Sequence, residues 1–257
     1  MCLLVIAVRH HEKLPLIVAG NRDEFHARPT QDARWWTDNP DILGGRDLQA
    51  GGTWLAVHRD GRFAALTNYR DAKHERAGLK SRGHLITGFL ADDKSPLDYL
   101  RSIDGEAYAG FNLLVADRNA AAYFSNRGAA MRELPPGIYG LSNATLDEPW
   151  TKVTRTKSRL QSLIEEDAVN ETSLLRLLDD RQKASSNEVQ TDGLSFPMAH
   201  ALTAPFIVLP EYGTRCSTVL TISDKGHARF TERRFDARGC KTGESGFVFD
   251  SGSVDRQ

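Results

Sequence analysis

The sequence predicts an α+β fold, a four-layer αββα sandwich in which two mainly antiparallel sheets stack face to face and helices flank them. Apolar, β-branched runs are separated by turn signals such as Asp60-Gly61 and Asp224-Lys225-Gly226, which favour antiparallel hairpins over parallel crossovers. Two pairs of helical patterns interrupt the hairpins. Stacked layers would bury the apolar side of every predicted strand and helix. We therefore prefer the sandwich to a barrel.

The predicted strands are short apolar runs between turn residues. They span residues 2–8, 14–20, 42–45, 53–58, 62–67, 111–116, 121–125, 138–142, 206–209, 217–223 and 227–235. The first two are expected to be central strands, because both are apolar throughout and only a polar loop separates them.

Four helices are predicted from apolar residues at helical spacing. Ser81 is a plausible N-cap for a helix over 84–91, and Ser95-Pro96 begins a second one that ends near residue 103. A capping-box pattern at 145–148 precedes a third helix from Trp150 onward, and a fourth spans 171–181. Residues 183–194 are polar and lack periodicity, so we expect a mobile surface loop.

Composition narrows the class of protein. The 257 residues are expected to form one domain, 1–257, because no linker divides them. A net charge of -1 argues against nucleic acid as a partner, and no apolar run reaches the roughly 18 residues of a transmembrane segment. The start of the chain lacks a basic signal-peptide region, so we expect a cytoplasmic protein. The sequence does not indicate the oligomeric state.

The chemistry is expected near the start of the chain. If the first hairpin closes near His11, Cys2 lies opposite Gly20, and the run Asn21-Arg22-Asp23-Glu24 follows beside it. This register places Arg22 and Glu24 on the Cys2 face, whereas a slip of one residue places Asn21 and Asp23 there. Both registers remain open, and Asn21 and Glu24 are candidate pocket residues.

Cys2 is the candidate nucleophile. Removal of Met1 would place an α-amine on Cys2, and an amine with a pKa near 8 is able to accept the thiol proton. A nearby arginine would favour the thiolate. The alternative is that Cys2 is a small apolar residue at the start of a buried strand. The three cysteines lack metal-ligand spacing, so free thiols and no metal site are expected.

Several short motifs occur in order along the chain. They are Asn21-Arg22-Asp23-Glu24, Gly44-Gly45-Arg46-Asp47, Gly51-Gly52-Thr53-Trp54, Thr67-Asn68-Tyr69-Arg70, Ser81-Arg82-Gly83, Leu141-Ser142-Asn143-Ala144 with Trp150 and Lys152, and Gly213-Thr214-Arg215 before Ser217-Thr218. On these motifs the chain resembles the NRDE family, which includes the eukaryotic transport and Golgi organisation protein 2. That family in turn is similar to the cysteine branch of N-terminal nucleophile hydrolases.

The resemblance implies roles for particular residues. It implies hydrolysis of a non-peptide C–N amide bond, with site residues Cys2, Arg22, Asp23, Asn68, Asn143 and Arg215. One departure matters: in the cysteine branch of N-terminal nucleophile hydrolases the early arginine and aspartate are three residues apart, whereas Arg22 and Asp23 are adjacent and, if extended, point to opposite faces of a strand. Structural alternatives also exist, since Asn21 or Asp23 could cap a helix, Arg22 could form a buried salt bridge, and asparagines favour turns.

The ligand is expected to be a small molecule or lipid-like. Trp54 is either a core residue or a pocket wall, whereas Trp35 and Trp36 lie in a polar stretch and could line the mouth of the pocket. No cofactor is required for cysteine hydrolysis. The resemblance also implies an alternative, a non-enzymatic carrier of haem or acyl lipid that uses the same pocket, with haem as cargo.

Overall fold

The structure, a computed structural model, describes residues 2–70, 79–128, 130–191 and 193–252. The strands are β1 (Cys2–Val8), β2 (Leu16–Phe25), β3 (Thr30–Trp35), β4 (Ile42–Asp47), β5 (Leu55–His58), β6 (Phe63–Asn68), β7 (Phe111–Ala116), β8 (Ala121–Ser125), β9 (Arg132–Glu133), β10 (Gly137–Leu141), β11 (Tyr212–Ile222), β12 (His227–Phe235) and β13 (Lys241–Asp250). The helices are α1 (His84–Ala91), α2 (Pro96–Arg101), α3 (Thr151–Glu165), α4 (Glu171–Leu178) and α5 (Phe196–Ala201). Within these ranges no helix is long and apolar enough to cross a membrane.

The strands form two antiparallel sheets. The first has the order β10-β1-β2-β11-β12-β13, and the second has the order β3-β4-β5-β6-β7-β8-β9. Side chains from alternate positions of β1, such as Leu4 and Ile6, pack between the sheets against Phe63 and Leu114 of the second sheet. The two sheets therefore share one buried core.

Helices cover the outer face of each sheet. Val5 and Ala7 of β1 point away from the inter-sheet core and pack under α3 and α4. Helices α1 and α2 cover the other sheet, where Phe89 and Leu100 are fully buried. This arrangement confirms the predicted four-layer αββα sandwich.

The first hairpin adopts a register that differs from the predicted one. Cys2 pairs with Arg22 rather than with Gly20, because the loop is longer than a tight turn. The ring of His11 accepts hydrogen bonds from the backbone N–H groups of Lys13 and Leu14, which widens the loop. A shift of two residues preserves the alternation of faces, so Arg22 and Glu24 lie on the Cys2 face, as the first of the two registers predicts.

Other element predictions need correction. The predicted strand at 206–209 makes only an isolated bridge, and β3, β9, β13 and α5 were not predicted. Gly83, not Ser81, is the N-cap of α1, and α3 begins at Thr151 with Trp150 as N-cap, beyond the predicted capping box. The segment 183–194 contains one 3-10 turn, and residue 192 lies outside the described residues. Its mobility stays a prediction.

Asn21 connects β2 to the helical layer. Its amide nitrogen donates to the carbonyl oxygens of Leu178 and Pro205, both at 2.9 Å, and its amide oxygen accepts from the Ser217 hydroxyl at 2.6 Å. The side chain is fully buried and points away from the inter-sheet face. These bonds tie the end of α4 to the central strands.

Replacing Asn21 should therefore destabilise the fold. We expect Asn21→Ala to lower the free energy of unfolding by about 3 kcal/mol, because two carbonyls and a hydroxyl remain buried without partners. Urea denaturation measures this difference. The exposed Asn119→Ala is the matched control and should change stability by less than about 0.5 kcal/mol. A loss below about 1 kcal/mol in Asn21→Ala would show that these bonds contribute little.

Candidate functional site

A cavity of about 530 Å³ opens beside the N-terminal end of β1. It lies where the ends of β1 and β2 meet the loops of the second sheet. Its walls carry a thiol, several cations, several carboxylates and an indole. The lining residues are Cys2, Arg22, Asp23, Glu24, Phe25, Arg28, Thr30, Gly45, Arg46, Asp47, Ala50, Gly52, Thr53, Trp54, Leu66, Asn68, Leu79, Lys80, Ser81, Arg82, Gly83 and Ala109.

The Cys2 thiol lies at the inner end of this cavity. Cys2 shares the inter-sheet face of β1 with Leu4 and is 8% exposed. Burial and the negative charge of Asp23 raise the pKa of the thiol, whereas the positive chain terminus, a hydrogen bond from the Asp23 backbone N–H and the charge of Arg22 lower it. The thiol therefore needs a base or a cation to become a nucleophile near neutral pH.

A network of ion pairs holds Arg22 in the cavity wall. The guanidinium lies 3.8 Å from the carboxylates of both Glu24 and Asp47 and donates to the Thr30 hydroxyl at 3.1 Å. Arg28 pairs more closely with Asp47, at 2.7 Å. Arg22 thus forms buried ion pairs, which was the structural alternative considered from the sequence, and it also lines the cavity together with Cys2.

Asp23 points to the opposite face of β2 from Arg22. Its carboxylate accepts a hydrogen bond from the Thr214 hydroxyl at 2.7 Å and is close to the ammonium of Lys152. Burial raises the pKa of Asp23 to about 6, although the chain terminus, Lys152, Thr214 and Arg22 all lower it. Asp23 is therefore mostly ionised at neutral pH and sensitive to mild acid.

Lys152 brings a buried cation from α3 to this side of the site. Its Nζ is fully buried and has no hydrogen-bond partner in the part of the chain that the structure describes. Burial lowers the pKa of Lys152 to about 8, Asp23 and Cys2 raise it, and Arg70 lowers it further. The Lys152 ammonium therefore interacts electrostatically with both the Asp23 carboxylate and the Cys2 thiol.

Asn68 and Asn143 are linked to each other. Asn68 ends β6 and lines the cavity, whereas Asn143 is buried and donates its amide to the Asn68 carbonyl at 2.7 Å. The adjacent Ser142 hydroxyl donates to the Cys2 carbonyl at 2.8 Å. Ser142 and Asn143 therefore hold Cys2 and Asn68 in fixed positions, and the Asn68 amide is the one of the two that lines the cavity.

Two glycine motifs form one wall. A Cβ atom on Gly52 would lie 2.6 Å from the backbone of Gly83, so both loops require glycine to approach this closely. Gly51 has a φ of 76°, which favours glycine as well. Trp54 lies beside Gly20 and lines the cavity, which combines the predicted roles of core residue and pocket wall.

Besides Asn143, four predicted site residues lie outside the cavity lining. Asn21 faces the helices; Trp36 is buried on the outer face of its sheet and donates to the Gly44 carbonyl; and Trp35 packs against Phe249 and Arg59. Arg215 sits at an irregularity of β11 and donates to the carbonyls of Phe25 and Arg28. Trp35 and Trp36 were predicted at the mouth because strand β3, which ends at Trp35, was missed; Trp35 is half-buried and Trp36, directly after the strand, is buried.

The sequence analysis missed several charged residues of the site. Lys152 falls on the buried stripe of α3 together with Thr156 and Leu160, at the spacing of one helix face. A lysine on an apolar stripe is the signal that could have singled it out. Arg82 belongs to the Ser81-Arg82-Gly83 motif but had no role assigned, and Arg28 carries no comparable signal, since only the fold brings its loop to this cavity.

Solved structures share this architecture. The C2A mutant of a conjugated bile acid hydrolase from Clostridium perfringens superposes with a TM-score of 0.55 at 8% identity, over 97% of this chain and 92% of that chain. An N-acylethanolamine-hydrolyzing acid amidase ortholog from Caenorhabditis elegans superposes with a TM-score of 0.50 at 13% identity, over 85% and 92%. The chain therefore has an N-terminal nucleophile hydrolase-like fold.

Sequence comparison identifies the family. The profile of the family described as Transport and Golgi organisation 2 matches residues 1–237, and the chain belongs to this family. The Transport and Golgi organization protein 2 homolog of Bos taurus is 38% identical over 239 residues, covering 85% of this chain and 86% of the relative. The Drosophila melanogaster protein is 28% identical over 248 residues, covering 84% and 85%.

The raised pKa of Asp23 predicts a pH-dependent stability. The unfolded chain releases this proton near pH 3.8 and the folded protein near pH 6, so the free energy of unfolding falls as pH rises between these values. Relative to Asp23→Asn, the native protein should lose about 2 kcal/mol of stability from pH 4 to pH 7. Urea denaturation of both proteins across this range measures it. A constant difference would contradict the assignment.

Lys152 should set the midpoint of that titration. Because the ammonium lowers the pKa of Asp23, we expect Lys152→Met to move the midpoint above about 6. Carbon-13 NMR of labelled aspartate carboxyl groups reports the shift directly, with Asp23→Asn identifying the resonance. Lys157→Met, on the same helix but paired with Asp147, is the control. If the titration midpoint of Asp23 is the same in Lys152→Met as in native protein, the Lys152 ammonium is too far from Asp23 to affect its pKa.

Proposed function

We propose that the protein is a cysteine amidohydrolase that cleaves a non-peptide C–N amide bond with Cys2. The observation that carries the proposal is the position of the Cys2 thiol, at the inner end of a polar cavity and beside Arg22, Asp23 and Lys152. Perturbed ionisable groups that converge in a cavity are typical of active sites. The two solved structures of the same fold are a bile acid hydrolase and an acid amidase, which supports the same class of reaction.

The proposed reaction has two steps. Once Met1 is removed, the α-amine of Cys2 accepts the thiol proton, and the sulfur attacks the amide carbonyl. The C–N bond then breaks, the amine leaves with that proton, and a thioester remains. Water hydrolyses the thioester to a carboxylate and restores the thiol. The Asn68 amide, which lines the cavity, donates to the oxyanion in both steps.

The alternative function is a carrier of haem or acyl lipid in the same cavity, without chemistry. The lining favours the hydrolase, because a carrier of apolar cargo requires a mainly apolar wall. Instead the cavity presents ion-paired arginines and carboxylates, and the described lining contains no histidine.

Substitution of Cys2 separates the two functions. With a panel of N-acyl amides, we expect hydrolysis by the native protein and a loss on the order of a thousandfold or more in Cys2→Ala. Cys240→Ala, at an exposed cysteine outside the cavity, should retain full activity. Intact mass spectrometry of the active protein should show the loss of Met1. Haem or acyl-lipid binding that persists in Cys2→Ala, without hydrolysis in either protein, would favour the carrier.

A further inference from the structure

The charges of the cavity do not balance. Among its lining residues, Arg22, Arg28, Arg46, Lys80 and Arg82 are basic and Asp23, Glu24 and Asp47 are acidic. Glu24 and Asp47 are shared by Arg22 and Arg28, and Arg46 is paired with Asp38 at 2.8 Å. The acidic groups that line this face of the cavity are thus already engaged by two arginines.

Arg82 is a half-buried cation of the cavity lining that takes no part in this network. Across the described ranges, no carboxylate lies within ion-pair distance of its guanidinium, and its side chain makes one hydrogen bond, to the Gly110 carbonyl at 2.9 Å. A guanidinium has five N–H donors, so most of them remain available. Burial and the neighbouring charge of Arg28 lower the pKa of Arg82, as expected for a cation without a counter-ion.

The position of Arg82 is fixed by the backbone on either side of it. Gly83 packs against Gly52 and Thr53 at distances that leave no room for a side chain, and Gly110 holds the guanidinium itself. Arg82 and Cys2 line the same cavity, and negative charge at the Cys2 sulfur raises the pKa of Arg82. An anion that binds Arg82 would therefore share the cavity with the reacting sulfur.

We propose that Arg82 is the anion-binding residue of this cavity, and that the ligand carries a carboxylate or a phosphate group close to the bond that meets Cys2. This inference rests on the proposed function for the identity of the bond, but not for the binding of the anion. A carboxylate accepts two parallel hydrogen bonds from a guanidinium, and a phosphate binds it in the same way.

Two alkylating reagents of similar size test the proposal. Iodoacetate and iodoacetamide react with the same thiolate and differ in charge, so the ratio of their rates at Cys2 reports attraction of an anion and is independent of the thiol pKa. We expect Arg82→Met to lower the iodoacetate-to-iodoacetamide ratio at Cys2 about fivefold, and Arg82→Lys to restore part of it. Peptide mass spectrometry resolves the cysteines, and exposed Cys240 is the internal reference.

Matched controls decide the result. Arg101→Met removes an exposed arginine that is paired with Asp98, and it should leave the ratio at Cys2 unchanged. In native protein, hexanoylglycine or hexyl phosphate should protect Cys2 from iodoacetamide better than neutral hexanoylglycinamide does. Whichever of the two anionic compounds protects more shows whether the site prefers a carboxylate or a phosphate. A ratio that is the same in Arg82→Met as in native protein would overturn the proposal, as would equal protection by the neutral compound.

Failure of the proposed function gives a different outcome. If neither reagent labels Cys2, the thiol is not an accessible nucleophile and the hydrolase proposal fails. Anion binding is then decided by thermal unfolding: hexanoylglycine or hexyl phosphate should raise the Tm of native protein more than hexanoylglycinamide does, and this difference should vanish in Arg82→Met. The same difference in both proteins would overturn the role of Arg82.

Discussion

The pairing of Cys2 with Arg22 across β1 and β2 is the constraint on which the site depends. Because side chains alternate along a strand, this register divides the polar run at the end of β2 between two faces. Arg22 and Glu24 enter the cavity, whereas Asn21 and Asp23 face the helices. A slip of one residue would bury Arg22 among the helices and would remove the bonds of Asn21 to α4.

The same division places opposite charges on both sides of Cys2. On the inner side, Arg22 is neutralised by Glu24 and Asp47. On the outer side, Asp23 and Lys152 are buried close together, each shifting the pKa of the other toward its charged form. Such a pair is strongly destabilising when one partner is removed. Replacing both partners of such a pair by apolar residues is often neutral or stabilising, so the presence of the pair beside a thiol is not explained by stability alone.

The sequence predicted the fold and family well and the site only in part. Strand alternation and turn residues are local, so β1, β7, β8 and β12 were predicted with their observed limits. β3 and β13 were missed because charged and polar residues dominate them, and their pairing is fixed only by neighbouring strands. The roles of Trp35, Trp36 and Asn21 depended on those long-range contacts. Lys152 and Arg82 belong to the short sequence motifs, but their position near Cys2 depends on how distant loops and helices pack, which those motifs do not encode.

The relation between fold and chemistry follows from these charges. A likeness to hydrolases at 8% and 13% identity establishes the architecture, and chemistry must be argued from the residues present. A buried thiol resists ionisation, so a cavity that only held a ligand would have no need of cations around it. Here Arg22 lowers the pKa of the thiol, and negative charge at the sulfur in turn raises the pKa of Arg82 and of Lys152. That arrangement is better suited to forming a thiolate next to an anionic ligand than to storing an apolar one.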